Sequence, residues 1–248
     1  MPLSAVVITH NAAALLDRCL ASVAFADELL VVDSGSTDET QAIAKRRGAR
    51  IVTHEWLGFG PQKQLAVDSA AHDWVLCLDA DEQVSEVLRN EIVRALTNPG
   101  AMVFALPRRN RFLGRWLAHG EGYPDWSVRL FHRAHARWSD DPVHEKVLTR
   151  SRPGRLRGDL LHDSVETLER YLEKQNRYTS LQAEQLHAHG SAAGAAQLVL
   201  SPLARFFKFF VLRLGFLDGV PGLIHISIGC MNSFNKYAKL IALNRGVQ

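Results

Sequence analysis

The sequence predicts an α/β protein: a mostly parallel sheet flanked by helices, with a helical extension behind it. Three observations carry this. Short β-branched runs alternate with helix-period segments over roughly the first hundred residues, the pattern of successive βαβ units. Acidic residues stand at the ends of those runs, where open α/β sheets bind ligands. Beyond residue 164 the apolar spacing is that of helices.

The elements follow in order. Leu3–Ile8 is a β-branched strand, and Asn11 is placed to cap a helix with Leu16, Cys19, Leu20 and Val23 as its apolar face. ELLVVD, residues 28–33, is the second strand. Ser36-Thr37-Asp38-Glu39 behind it has the form of a capping box opening a helix to Arg47. Ala49–Val52 is a third strand, and Pro61 marks a helix start that runs to about Ala71. Trp74–Leu78 is a fourth strand, Ser85–Thr97 a helix, and Met102–Leu106 a fifth strand. Residues 107–160 are rich in Arg, Trp, Gly and Pro, with one clear strand at Trp126–His132. Residues 165–189 form a long helix. The domains expected are 1–163, with a ligand half at 1–106 and an acceptor half at 107–163, and a helical extension at 164–248.

With 248 residues, 47% hydrophobic and 22% charged, the chain is globular in composition and too apolar to be disordered. Its net charge of +3 hides an uneven distribution. Residues 1–105 carry 8 basic and 14 acidic side chains, a net −6, while residues 106–160 carry 12 and 6, a net +6. The basic middle is either a solvated surface or a face for an anion such as a diphosphate. No nucleic-acid-binding motif accompanies it. Cys19, Cys77 and Cys230 are far apart and lack metal-ligand spacing, so they read as small hydrophobes in a reducing compartment. MPLSAVVITHN has no basic region before its apolar stretch and no small-residue cleavage site, and reads as a strand, not a signal peptide.

Asp79-Ala80-Asp81 follows the apolar run VLCL directly. A turn at the strand tip lets one or both carboxylates reach a common cation. Hard divalent ions, Mg²⁺ or Mn²⁺, take carboxylate oxygens and keep positions for phosphate oxygens. Such an ion stabilises the charge that builds on a departing diphosphate. Asp33 ends the second strand, where it can accept hydrogen bonds from a base or ribose. Arg129 in SVRLF is a candidate phosphate clamp or a solvated strand residue.

VVITHN, VVDSGSTDET and LCLDADE together resemble family 2 glycosyltransferases. The resemblance implies the GT-A fold, a nucleoside-diphosphate sugar donor and inversion at the anomeric carbon. It places Thr9 and Asn11 in the nucleotide pocket, Asp33 on the base, Asp81 on the metal with Asp79 nearby, and Lys63 close to the nucleotide. GYPDWSVRLFHR, DDPVHEKV, LLHDS and GFLDGVPGL resemble the bacterial lipopolysaccharide core β-1,4-glucosyltransferase group, so the likeness runs along nearly the whole chain. It implies UDP-glucose as donor and a lipid-linked glycan as acceptor. Another hexose or N-acetylhexosamine is the alternative. An inverting transfer needs a general base. Glu145 of the His-Glu pair is the first candidate, with Asp125, Asp140 and Asp141 as rivals and His144 and Asp125 as acceptor contacts. His162 is either a third metal ligand or a structural histidine.

Leu203–Leu217 is broken by Arg205, Lys208 and Arg213, too short and too charged for a spanning helix of about 20 apolar residues. At 100° per residue the three cations share an arc of about 140°. That suits a helix lying in a membrane interface, with Gly222–Met231 beside it, and a peripheral place on the cytoplasmic face of the membrane. The alternative is a helical cap on the core or a dimer contact. A nucleotidyltransferase would carry a Gly-rich basic loop after the first strand, where this chain has THNAAALL. No GxxxxGK[ST] occurs, which excludes a P-loop NTPase. A scaffold that has lost catalysis would not be expected to keep both Asp79 and Asp81.

Overall fold

The computed structural model describes residues 1–141, 145–164 and 167–246. It divides into two compact units, Met1–Arg108 with Asp125–Asp163, and Arg109–Pro124 with Ser164–Gln248. The chain runs through β1 (Leu3–Thr9), α1 (Ala13–Ser22), β2 (Glu28–Asp33), α2 (Thr40–Arg46), β3 (Arg50–Thr53), α3 (Phe59–Asp68) and β4 (Trp74–Asp79). Next come β5 (Glu82–Val84), α4 (Glu86–Thr97), β6 (Val103–Phe112), β7 (Arg115–Trp116), β8 (Asp125–His132), β9 (Ala136–Trp138), β10 (Val147–Thr149), β11 (Gly154–Arg155) and β12 (Leu160–His162).

In the first unit the strand order is β3-β2-β1-β4-β8-β6-β12-β5. The four strands from β3 to β4 are parallel, as the βαβ alternation requires. The fifth expected strand, β6, does not lie beside β4. The WSVRLFH strand, β8, inserts between them antiparallel to both. Leu130 and Phe131 of β8 are fully buried, as suits a strand covered on both faces.

Side chains alternate between the faces of the sheet with period two. Ala5, Val7, Val31, Leu76 and Leu78 pack with Leu16 and Leu20 of α1, Ile43 of α2 and Ile92 of α4. Val6, Ile8, Leu30, Val32, Val75 and Cys77 pack on the other face with Ala66 and Val67 of α3 and Trp138 of β9. Each such side chain fully buried contributes about 1.5–3 kcal/mol for the large aliphatics.

Two caps differ from expectation. Asn11 does not cap α1; its backbone is left-handed (φ 51°) and its Oδ1 accepts from the Thr37 amide at 2.9 Å. The capping box does not form either: the Ser36 oxygen accepts from the Asn11 amide at 2.8 Å while its hydroxyl donates to Asp33, and α2 starts only at Thr40. The loop and the first turn of α2 cap α1 instead. Asp38 Oδ2 accepts from the Ala13 amide at 3.1 Å and Thr40 Oγ1 from the Ala12 amide at 2.7 Å. Ser85 caps α4, accepting from the Leu88 amide. The Cys19 and Cys77 thiols are free and buried, and burial pushes Cys77 up to about 11.

The second unit holds α5 (Leu168–Ala188), α6 (Ala195–Phe206), a π-helical turn over Phe207–Leu212, a 3₁₀ turn over Gly215–Asp218 and α7 (Gly219–Asn244). Residues 109–124 pack with these helices. Asp218, 1% exposed, accepts from the Ala118 and His119 amides, and Arg205 forms a two-pronged pair with Glu121. Leu203–Leu217 is therefore not one helix: it leaves α-geometry at Phe207 and ends at Leu214, whose φ is 54°. The helical run begins earlier than expected, and Ala195–Leu212 is long and apolar enough by composition to cross a membrane, with none of it buried. Gly222–Met231 is the first half of α7, where Gly222, Ile226, Ile228 and Gly229 face inward.

Candidate active site

Register gathers the strand ends. Thr9 of β1 stands opposite Asp33 of β2, and Ile8 stands opposite Asp79 of β4, so all three polar residues end their strands on one edge. Asp33 is fully buried and accepts four hydrogen bonds. Its donors are the Thr9 hydroxyl (2.8 Å), the Ser36 hydroxyl, the Ser36 amide (2.9 Å) and the Gln41 amide group (2.8 Å). Burial raises its pKa, but those donors outweigh it and hold the carboxyl below the usual range. Asn11 stays exposed beside it, tying the first loop to the second.

The acidic turn after β4 contains a network the sequence only half revealed. Lys63 of α3, 4% exposed, places Nζ 2.9 Å from Asp79 Oδ1 and 2.8 Å from Glu145 Oε1. Arg129 of β8, 5% exposed, donates through one nitrogen to Asp79 Oδ2 (2.9 Å) and to Glu82 Oε1 (2.8 Å). Glu82, fully buried, accepts from the Asp79 amide with its other oxygen at 3.0 Å. Arg108 Nε stands 3.0 Å from Glu82 Oε1 without the alignment of a hydrogen bond. The Trp138 ring lies 4.9 Å from the Lys63 ammonium and 5.7 Å from the Arg129 guanidinium.

Three cations thus face three carboxylates. Burial raises Asp79, but Arg129 and Lys63 overcome it and hold it well below the ordinary carboxylate range. Burial raises Glu82 and wins there in spite of Arg129.

Asp81 points elsewhere. Its Oδ2 lies 3.1 Å from His162 Nε2, and its carbonyl accepts from the Asp163 amide. The antiparallel pairing of β5 with β12 sets His162 opposite Glu82 and so brings the imidazole to the turn. Burial raises Asp81, and the His162 hydrogen bond more than offsets it. Among the described residues no three His, Cys, Asp or Glu side chains converge on one point. Asp81 and His162 are an open pair, one oxygen and one nitrogen donor with side chains 30% and 16% exposed, and Asp79 is held on its cations. Such a pair fits a divalent cation that takes its remaining ligands from a phosphate.

The remaining expected residues are dispersed. Arg129 is turned onto Glu82 and Asp79 and not toward solvent. Asp125 pairs with Arg108 at 3.5 Å, with its side chain 46% exposed. Asp140 pairs with Arg137 and is exposed, and His144 lies outside the described residues. Glu145 is held by Lys63 of α3, and residues 139–141 rest on the same helix. The Gly60 amide donates to the Asp141 carbonyl at 3.2 Å, and a Cβ on Gly60 would fall 2.1 Å from the Ser139 carbonyl oxygen. Sequence reading missed Glu82, Arg108, Trp138 and Gly60. Only Glu82 left a signal there, as the third acid of DADE.

The model of the family described as glycosyl transferase family 2 matches residues 4–150. A glycosyltransferase of Rickettsia felis is 30% identical over 259 residues, covering 96% of this chain and 89% of the relative. The lipopolysaccharide core biosynthesis glycosyltransferase LpsC of Rhizobium meliloti is 28% identical, covering 97% of this chain and 92% of its own. Among solved structures, S. aureus TarS 1–349 in complex with UDP-GlcNAc gives a TM-score of 0.51 at 15% identity, covering 99% of this chain and 92% of that one. Mannosyl-3-phosphoglycerate synthase from Rubrobacter xylanophilus gives 0.51 at 14%, covering 77% and 75%. At such identities the structures speak for the fold, which is GT-A. The family match spans more than half of the chain and the relatives nearly all of it, so the protein is a glycosyltransferase and belongs to glycosyl transferase family 2.

Proposed function

We propose that this glycosyltransferase passes glucose from UDP-glucose to a hydroxyl of a lipid-linked glycan, such as the lipopolysaccharide inner core, with inversion at the anomeric carbon. The observation that carries the reading is the Asp79–Lys63–Glu145 chain at the strand ends, which sets a carboxylate for proton removal beside a site for the donor. The likeness to LpsC supports the acceptor class, and the resemblance in the second half of the chain supports the sugar.

Asn11 faces the nucleoside side of the site, with Thr9 and Asp33 buried behind it. Asp81 and His162 would hold a divalent cation, Mg²⁺ or Mn²⁺, which supplies positive charge against the leaving diphosphate. Glu145 takes the proton of the acceptor hydroxyl as its oxygen bonds to the anomeric carbon, and the bond from that carbon to the phosphate oxygen breaks. Lys63 orients Glu145 and meets the donor side through Asp79. The basic stretch 106–160 favours an anionic acceptor. Residues 164–248 serve as a membrane-associating extension, placing the enzyme peripherally on the cytoplasmic face. The inward hold of Glu121 and Ser233 on Arg205 favours α6 lying at the interface over crossing the bilayer.

The test measures binding and turnover of a panel of nucleoside-diphosphate sugars, with and without Mn²⁺ or Mg²⁺. Wild type is expected to bind UDP-glucose only with metal, Asp81→Ala to lose that binding, and Glu145→Gln to bind donor normally but lose ~100-fold or more in kcat. Turnover of another hexose or N-acetylhexosamine instead would change the sugar and keep the chemistry. Near-normal turnover by Glu145→Gln would remove Glu145 as the base.

A further inference from the structure

We propose that Glu82 is a positioning residue for sugar transfer, fixing the acidic turn and, through Arg129, the place of Asp79, Lys63 and Glu145. The inference rests on the reading that Asp79 and Glu145 face donor and acceptor. Glu82 touches neither, since it is fully buried. Its two oxygens have separate tasks. One accepts the Asp79 amide at 3.0 Å, closing the turn across residues 79–82, and the other accepts Arg129 at 2.8 Å. The same Arg129 nitrogen donates to Asp79 Oδ2 at 2.9 Å, and Lys63 then links Asp79 to Glu145. Every step from Glu82 to Glu145 is a hydrogen-bonded contact between charged groups, four of the five residues coming from different elements.

The other arm of the turn depends on the same residue. Glu82 stands opposite His162 in the β5–β12 pair, and the 3.1 Å contact between Asp81 and His162 follows from where that turn sits. A buried carboxylate is a costly way to fill space, and an apolar side chain of equal volume commonly folds as well or better. What the carboxylate supplies is two acceptors in fixed directions. Glutamine supplies one oxygen, so its NH₂ must confront either the Asp79 amide or Arg129, both donors. Displacements of about 1 Å in a catalytic constellation cost on the order of 100-fold.

The experiment measures kcat, donor Kd and melting temperature for Glu82→Gln, Arg129→Lys and the double variant, using the panel sugar that wild type turns over. Asp79→Asn and Glu145→Gln are the controls. Glu82→Gln is expected to lose about 10- to 100-fold in kcat with a much smaller change in Kd. The double variant is expected to be no worse than the poorer single one, as for residues acting in one chain. A kcat for Glu82→Gln within about twofold of wild type, or losses that multiply in the double variant, would overturn the proposal. Should Glu82→Gln not fold, Arg129→Lys decides, because it keeps the charge but ends one bond short of the nitrogen that joins both carboxylates: wild-type kcat there also overturns it. If Asp79→Asn and Glu145→Gln both turn over normally, the reading of the site fails; if both are inactive while Glu82→Gln is active, only the positioning role fails.

Discussion

Asp33 accepts from four donors on β1, the β2–α2 loop and α2, so its carboxylate fixes where the first two strand ends meet. Asp33→Asn turns one acceptor oxygen into a donor that must face Thr9 and Ser36 or Ser36 and Gln41. Urea unfolding is expected to show a loss of about 1.5–3 kcal/mol, and donor binding should weaken with it. An unchanged midpoint would mean that the loop re-forms around asparagine. The residues at strand ends were legible in the sequence because a charge after an apolar run has one natural place in an α/β sheet. Glu82 and Arg129 were not legible in their roles. Which carboxylate an arginine meets depends on the antiparallel insertion of β8, and pairing across roughly fifty positions leaves no local pattern.

At the scale of elements, helix α1 begins without a side-chain cap of its own and takes Asp38 from the loop before α2 and Thr40 from the first turn of α2. Asp38→Ala is expected to cost about 1 kcal/mol, read from the shift in denaturation midpoint, with little effect on turnover. Loss of activity out of proportion to stability would show that this loop reaches the donor itself. Continuous apolar runs gave the parallel strands to within a residue, and apolar period gave their helices to within about four. They placed the fifth strand in sequence but not in space, since period says which residues form a strand and nothing of its neighbours. The capping box failed for a similar reason: four residues have the right pattern, but the Ser36 oxygen accepts from the Asn11 amide, which lies beyond that window. The π-helical turn at Phe207–Leu212 has no periodic signature at all.

On the scale of the whole molecule, charge and apolar surface are segregated. Acidic excess lies in residues 1–105 and basic excess in 106–160. The helical unit exposes Leu200, Leu203, Phe207, Leu212 and Val220, each more than half accessible, beside Lys208 and Arg213. Flotation with vesicles containing phosphatidylglycerol is expected to carry the protein, to weaken as salt rises from about 0.1 to 1 M, and to fail for Phe207→Asp/Leu212→Asp. Salt-insensitive binding would point to a purely apolar contact, and flotation of the double variant would place the contact elsewhere. One close approach within the first unit bears on redesign. Because Gly60 leaves no room for a side chain beneath the Ser139 carbonyl, the backbone of residues 139–141 is seated directly on the helix bearing Lys63. A loop transplanted from a relative to change acceptor preference will therefore keep its register only in a host with glycine at 60, which makes that single position a compatibility rule for chimaeras.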